Sequence, residues 1–126
     1  MPPKKAKGSR LIENRKYIRL KAPLGVAYRV IRKHKRPKTV LSLIKDISGG
    51  GTRFILKDNL RAGDLLHMEI QIPHLEDPIR ALGEVVWISP GKEKDRESPE
   101  AGVRFRDLAP RDLNCILEFV HTIGIG

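Results

Sequence analysis

The apolar residues of this chain recur with a period of two from Leu20 to Phe105, and with a period of 3.6 from Leu113 onward. Few folds accommodate that single change. Side chains that alternate every second residue line the two faces of a strand, whereas i, i+3, i+4, i+7 spacing lines one face of a helix. Val26, Tyr28 and Val30 alternate with Ala27, Arg29 and Ile31. Val40 to Ile44 is a short apolar run rich in β-branched residues, expected as a second strand buried on both faces or nearly so. Thr52, Phe54 and Leu56 alternate with Arg53, Ile55 and Lys57, and Leu66, Met68, Ile70 and Ile72 with His67, Glu69 and Gln71. Ile79 to Ser89 reads as a long strand with Gly83 as a bulge or bend. Val103 and Phe105, flanking Arg104, mark a sixth. Leu113, Ile116, Leu117 and Val120 then form one helix face, with Pro110 suited to the first turn and Gly124 to a C-cap.

The connections between strands are short. His34 to Lys38 reads as a basic hairpin turn, Pro73 and Pro78 bracket another, and Pro90 to Glu100 is a charged loop. Together these elements predict an all-β fold with one C-terminal helix: a six-stranded antiparallel barrel whose edge or mouth the helix covers. Residues 1–12 are expected to be a flexible basic arm, because Pro2, Pro3, Lys4, Lys5, Lys7 and Gly8 present no core-facing pattern. Residues 13–126 form the expected domain.

Charge placement narrows the partner. Residues 1–38 hold 14 Lys/Arg against one acid, Glu13, a net +13, whereas residues 39–126 carry a net −3. Such asymmetry points to an anionic partner. One cysteine, Cys115, allows no internal disulfide and fits a reducing cytoplasm. Its place in the helical pattern suggests a buried, inert thiol. There is no long apolar run for a membrane span and no h-region for a signal peptide. His34, His67, His74 and His121 show no metal-ligand spacing with Cys115, and no nucleophile elbow, Walker A or dinucleotide fingerprint occurs. The expectation is a non-enzyme without cofactor or metal.

Two polar motifs remain. Arg15 to Arg19 is an Arg-x-x-x-Arg just ahead of the first strand, and Asp46 to Gly51 is an Asp-x-Ser-x-x-Gly between two apolar runs. Each alone has a plain structural reading, as surface charge or as an Asx-turn. Paired in this order ahead of several strands and a closing helix, they resemble the PilZ domain, a bacterial receptor for cyclic di-GMP. The resemblance runs from Glu13 to Ile123. It implies that Arg15, Arg19, Asp46, Ser48 and Gly51 bind that dinucleotide, with Gly50 beside them, and that a stand-alone member controls motility, polysaccharide secretion or biofilm behaviour through a partner protein.

The chemistry suits those residue types. Arginine's planar fork meets phosphate oxygens bidentately and also matches guanine O6 and N7. In an extended segment Arg15 and Arg19 stand ~13 Å apart on one side, at ~3.3 Å per residue. Asp46, acceptor-only when ionised, complements guanine N1–H and N2–H₂. Ser48 can donate to phosphate or accept from a guanine amino group, and Gly51 is expected to leave room for the base. Trp87, the sole tryptophan, is either a ligand contact, as an aromatic near this place is in some PilZ domains, or a core or rim aromatic. Many family members carry an arginine directly before the first motif. Asn14 stands there in this chain, and Arg10 is the alternative source of that charge. This departure leaves one ligand or a stacked pair open. Tyr17 and Ile18 are expected to pack, and Arg104 to alternate outward. Two other functions compete: a basic β-barrel that binds nucleic acid, with few aromatics to support it, and an adaptor that has kept the fold and lost the ligand.

Overall fold

The computed structural model describes residues 18–33, 36, 38–91 and 98–125. Six strands form a closed antiparallel barrel: β1 (Leu20–Val30), β2 (Val40–Ile47), β3 (Gly51–Ile55), β4 (Leu65–Ile70), β5 (Ile79–Ser89) and β6 (Glu100–Leu108). Their order around the barrel is β1-β2-β3-β6-β5-β4, and β4 closes back on β1. The chain therefore leaves β3 and re-enters as β4 on the far side of β1, with buried Leu60 anchoring the passage. Closure leaves no sheet edge, so the helix α1 (Pro110–Ile125) seals an open end and covers no edge strand. Its Ile116 and Val120 join the barrel's core. Pro110 opens the helix as expected, but the helix continues through Gly124, which is not its cap.

Alternation fills the interior. Leu24, Val26 and Tyr28 of β1 meet Ile44, Phe54, Leu66, Met68, Ile70, Val85 and Val103, all buried. The Tyr28 and Phe54 rings pack tilted at 54°, with centroids 4.9 Å apart. Tyr28 points its hydroxyl outward and donates to Asp58 Oδ1 at 2.6 Å. Burial, with the Asp58 carboxylate beside it, pushes that phenol well above the usual tyrosine range. Gly83 lies at a register shift between β5 and β6, as expected. It also faces the core, where an added Cβ would overlap Val103 Cγ1 and Met68 Sδ.

The second strand departs from expectation. It is longer than the apolar run and buried on one face only, with Leu41 and Leu43 exposed to solvent. Opposite them on β1 stand Gly25 and Ala27, too small to cover them. Ile18 is likewise exposed, at 58%, and does not pack as expected. Cys115 is half-buried.

Candidate functional site

Strict alternation would send Asp46 into the core, because Ile44 two residues earlier is buried there. A β-bulge prevents it. Between Ile44↔Phe54 and Asp46↔Arg53 the β2–β3 register slips by one residue, so that both Lys45 and Asp46 oppose Arg53. Asp46 thereby reaches the outer face while Ile47, next in line, returns to the core opposite Thr52. The same device operates on β5. The register slips between Val85 and Trp87, and Trp87 is placed opposite Gly102 with its ring 42% exposed instead of inside.

These slips build a two-row patch on the outer face of β2, β3, β6 and β5. One row reads Asp46, Arg53, Gly102, Trp87, and the next reads Gly51, Arg104, Glu84. Rows two residues apart along a strand are separated by about 7 Å. Neither glycine has a side chain to stand above the surface. The Trp87 indole occupies the space over Gly102, where an added Cβ would meet ring carbons. The patch is therefore a shallow shelf bordered by Asp46 and its arginines, by Arg104 and by the indole.

Asp46 is only 4% exposed, yet it has two cationic partners. Arg19 pairs with Oδ1, and Arg53 Nη2 lies 2.9 Å from Oδ2. Arg53 also approaches Glu100 at 3.5 Å, and Lys45 pairs with the same glutamate. Arg53 Nε is buried without an acceptor. In the second row, Glu84 accepts from Arg106 at 2.6 Å and from Arg104 at 2.9 Å. These two guanidiniums, Arg106 foremost, hold its carboxyl below the usual carboxylate range.

The turn between β2 and β3 is braced from within. Thr52 Oγ1 donates to the Asp46 carbonyl at 2.7 Å. Ser48 N–H donates to Gly51 O at 2.9 Å, and Ser48 Oγ accepts from Gly50 N–H at 3.1 Å. Ser48 is thus buried and turned toward its own loop. Gly50 O accepts from Phe105 N–H at 2.9 Å, which ties the turn to β6. The reason for glycine at 51 differs from expectation. A Cβ there would lie 2.1 Å from the Val103 carbonyl oxygen. The missing side chain spares the β6 backbone, and it does so whatever occupies the shelf. None of the three consecutive glycines has positive φ.

The model of the PilZ domain matches residues 13–122. The chain belongs to the PilZ domain family. Its barrel is similar to several solved structures. One is the Bacillus subtilis inhibitor of motility MotI/DgrA, with a TM-score of 0.74 and 23% identity over 90% of this chain and 53% of that one. Another is the PilZ domain of Escherichia coli YcgR solved with c-di-GMP, at 0.66 and 17%, covering 90% and 93%. A third is the K. pneumonia MrkH–c-di-GMP complex, at 0.61 and 19%, covering 91% and 54%. This chain spans about half the length of MotI/DgrA and of the longer YcgR structure. No curated protein matches the sequence significantly.

Within this PilZ domain, Arg19 of the first motif and Asp46 of the second are in contact. Gly50, Gly51 and Ser48 form the adjoining turn, and Trp87 closes the far side of the shelf. Arg10, Asn14 and Arg15 lie outside the described residues, as does Tyr17. Neither sequence motif contains Arg53, Lys45 or Glu100, although all three join the ion-pair network at Asp46. Arg53 was legible as outward, since Phe54 beside it is apolar, but its partner depended on a bulge that leaves no mark in the sequence. Among the described residues, no helix is long and apolar enough to cross a membrane.

Proposed function

We propose that this protein is a non-catalytic receptor for cyclic di-GMP, which it clamps between the Arg15–Arg19 segment and the Asp46–Gly51 turn. The observation that carries the reading is the meeting of Arg19 and Asp46, one from each motif, on an outer shelf that ends in an exposed indole. The solved complexes of YcgR and MrkH with c-di-GMP support it by likeness of fold.

In this reading Arg15 and Arg19 take phosphate oxygens or the guanine O6/N7 edge, for which a guanidinium fork is suited. Asp46 accepts from guanine N1–H and N2–H₂. Since both its oxygens are already engaged, binding is an exchange: Arg19 turns from the carboxylate to the ligand, and guanine donors replace it. Arg53 stays and keeps the carboxylate oriented. Ser48, Gly50 and Gly51 keep the turn low enough for the dinucleotide to lie across it, and Trp87 offers its face to a base. Asn14 and Arg10 extend the contact surface on the N-terminal side. The exchange at Arg19 resets the segment leading into β1, and that change regulates a partner protein in motility, exopolysaccharide or biofilm output.

Calorimetric titration of the full chain with cyclic di-GMP tests this, alongside Arg15→Ala and Arg19→Ala. Saturable binding, weakened tenfold or more in each variant, is the expected result, and the molar ratio decides between one ligand and a stacked pair. Absence of binding to the unaltered protein refutes the reading and favours a nucleic-acid partner, for which affinity would fall steeply with salt. Asp46→Ala should narrow the preference for cyclic di-GMP over cyclic di-AMP. Unchanged discrimination would remove Asp46 from base recognition.

A further inference from the structure

The outer shelf carries a second group of charges that neither sequence motif contains. Arg104 stands directly across from Gly51 in the β3–β6 ladder. No side chain separates it from the turn. It is two residues along β6 from Gly102, on which the Trp87 ring lies, and so is a neighbour of the indole on the same face, about 7 Å away along the strand. Its side chain is 56% exposed, and Glu84 engages it through Nη2 alone. The rest of the guanidinium fork remains available for an anion.

The charge balance of the shelf falls into two parts. On the β2–β3 side, Arg19, Arg53 and Lys45 face two carboxylates, Asp46 and Glu100. On the β6–β5 side, Arg104 and Arg106 share one carboxylate, Glu84. Each side is left with one uncompensated positive charge among the described residues. A cyclic dinucleotide carries two phosphodiesters, each with one negative charge, on opposite sides of its ring.

We infer that Arg104 is the second cationic pole of the ligand site: it takes one phosphodiester of the dinucleotide while the Arg19–Arg53 side takes the other. This rests on the cyclic di-GMP reading above. Glu84 acts as the positioning residue, because it holds the Arg104 side chain against the sheet and beside the shelf instead of free in solvent. Arg106 is the other guanidinium on that carboxylate and keeps it fully charged.

The test is calorimetric titration with cyclic di-GMP of the unaltered chain, Arg104→Gln and a charge-matched control, Arg80→Gln, each at several salt concentrations. Arg80 is on the same outer face of β5, but it pairs with Glu69 at the far end of the strand from Trp87. Loss of one charge-assisted contact should weaken binding about tenfold or more in Arg104→Gln, with a shallower dependence on salt. Arg80→Gln should stay within about twofold of the unaltered chain. Thermal melts of both variants establish that they fold. Equal affinities for the two variants would overturn the role of Arg104 while leaving the receptor reading intact. Absence of binding to the unaltered chain would overturn both.

Discussion

Asp46 on β2 and Arg53 on β3 face each other across a bulge, with Nη2 2.9 Å from Oδ2. Asp46 is nearly inaccessible and Arg53 is two-thirds covered, so the pair works in a medium less screened than open solvent. Removing one partner leaves a carboxylate that has lost water and half its compensation. Arg53→Met should therefore lower stability by about 1–3 kcal/mol in urea unfolding. A change below a few tenths would mean that Arg19 alone suffices.

The two glycines Gly51 and Gly63 are required for different reasons, and alanine separates them. At Gly51 a Cβ would collide with a backbone carbonyl, and backbone yields only if β3 parts from β6. Gly51→Ala should cost about 3 kcal/mol, at the upper end of overpacking penalties. At Gly63, φ is +97° and nothing lies within 4 Å of an added Cβ. Gly63→Ala should cost only the left-handed strain, about 1 kcal/mol. Thermal unfolding of the pair checks the order.

Trp87 is the sole tryptophan, so its fluorescence reports the shelf directly. Cyclic di-GMP should shift and change its emission in proportion to occupancy. Trp87→Ala should weaken binding by about 1–3 kcal/mol, the range for base–aromatic stacking, and should also lower stability, since more than half of the residue is covered where the ring packs over Gly102. An emission spectrum that stays constant through saturation would place the ligand elsewhere.

Tyr28 sets an alkaline limit. Its folded-state pKa lies above the unfolded value, so between the two the native state binds more protons than the unfolded state. Stability is unaffected by this group below the ordinary tyrosine range and falls as pH rises through about 10 and beyond. Tyr28→Phe should lose about 1 kcal/mol near neutrality, through the hydrogen bond to Asp58, and should flatten the alkaline decline. Denaturation midpoints from pH 8 to 11 would show it; equal alkaline slopes would assign the decline to other groups.

Much of the barrel was legible because its cause is local. Val26 and Tyr28, Leu66 to Ile70 and Ile79 to Val85 alternate as strands with one buried face must. Leu113 to Val120 repeats as a helix on an apolar surface must. The structure departs from that pattern where neighbours decide. Leu41 and Leu43 are apolar and yet exposed, because Gly25 and Ala27 across the ladder cannot cover them. Gly124 is a helix-ending residue by type, yet it lies within a helix that continues.

The site divides in the same way. Residue order alone supplies the functional groups: two arginines four apart, an Asp-x-Ser-x-x-Gly and one tryptophan, with strand periodicity between them. Which of them share a surface follows from strand pairing in three dimensions. Asp46 and Trp87 have the parity of core residues in their own strands and reach the shelf through bulges, each a one-residue mismatch between two paired strands. A bulge is a property of the pairing, not of either strand. The pairing of β3 with β6, which brings Gly51 to Arg104, joins residues about fifty positions apart by hydrogen bonds that carry no side-chain code.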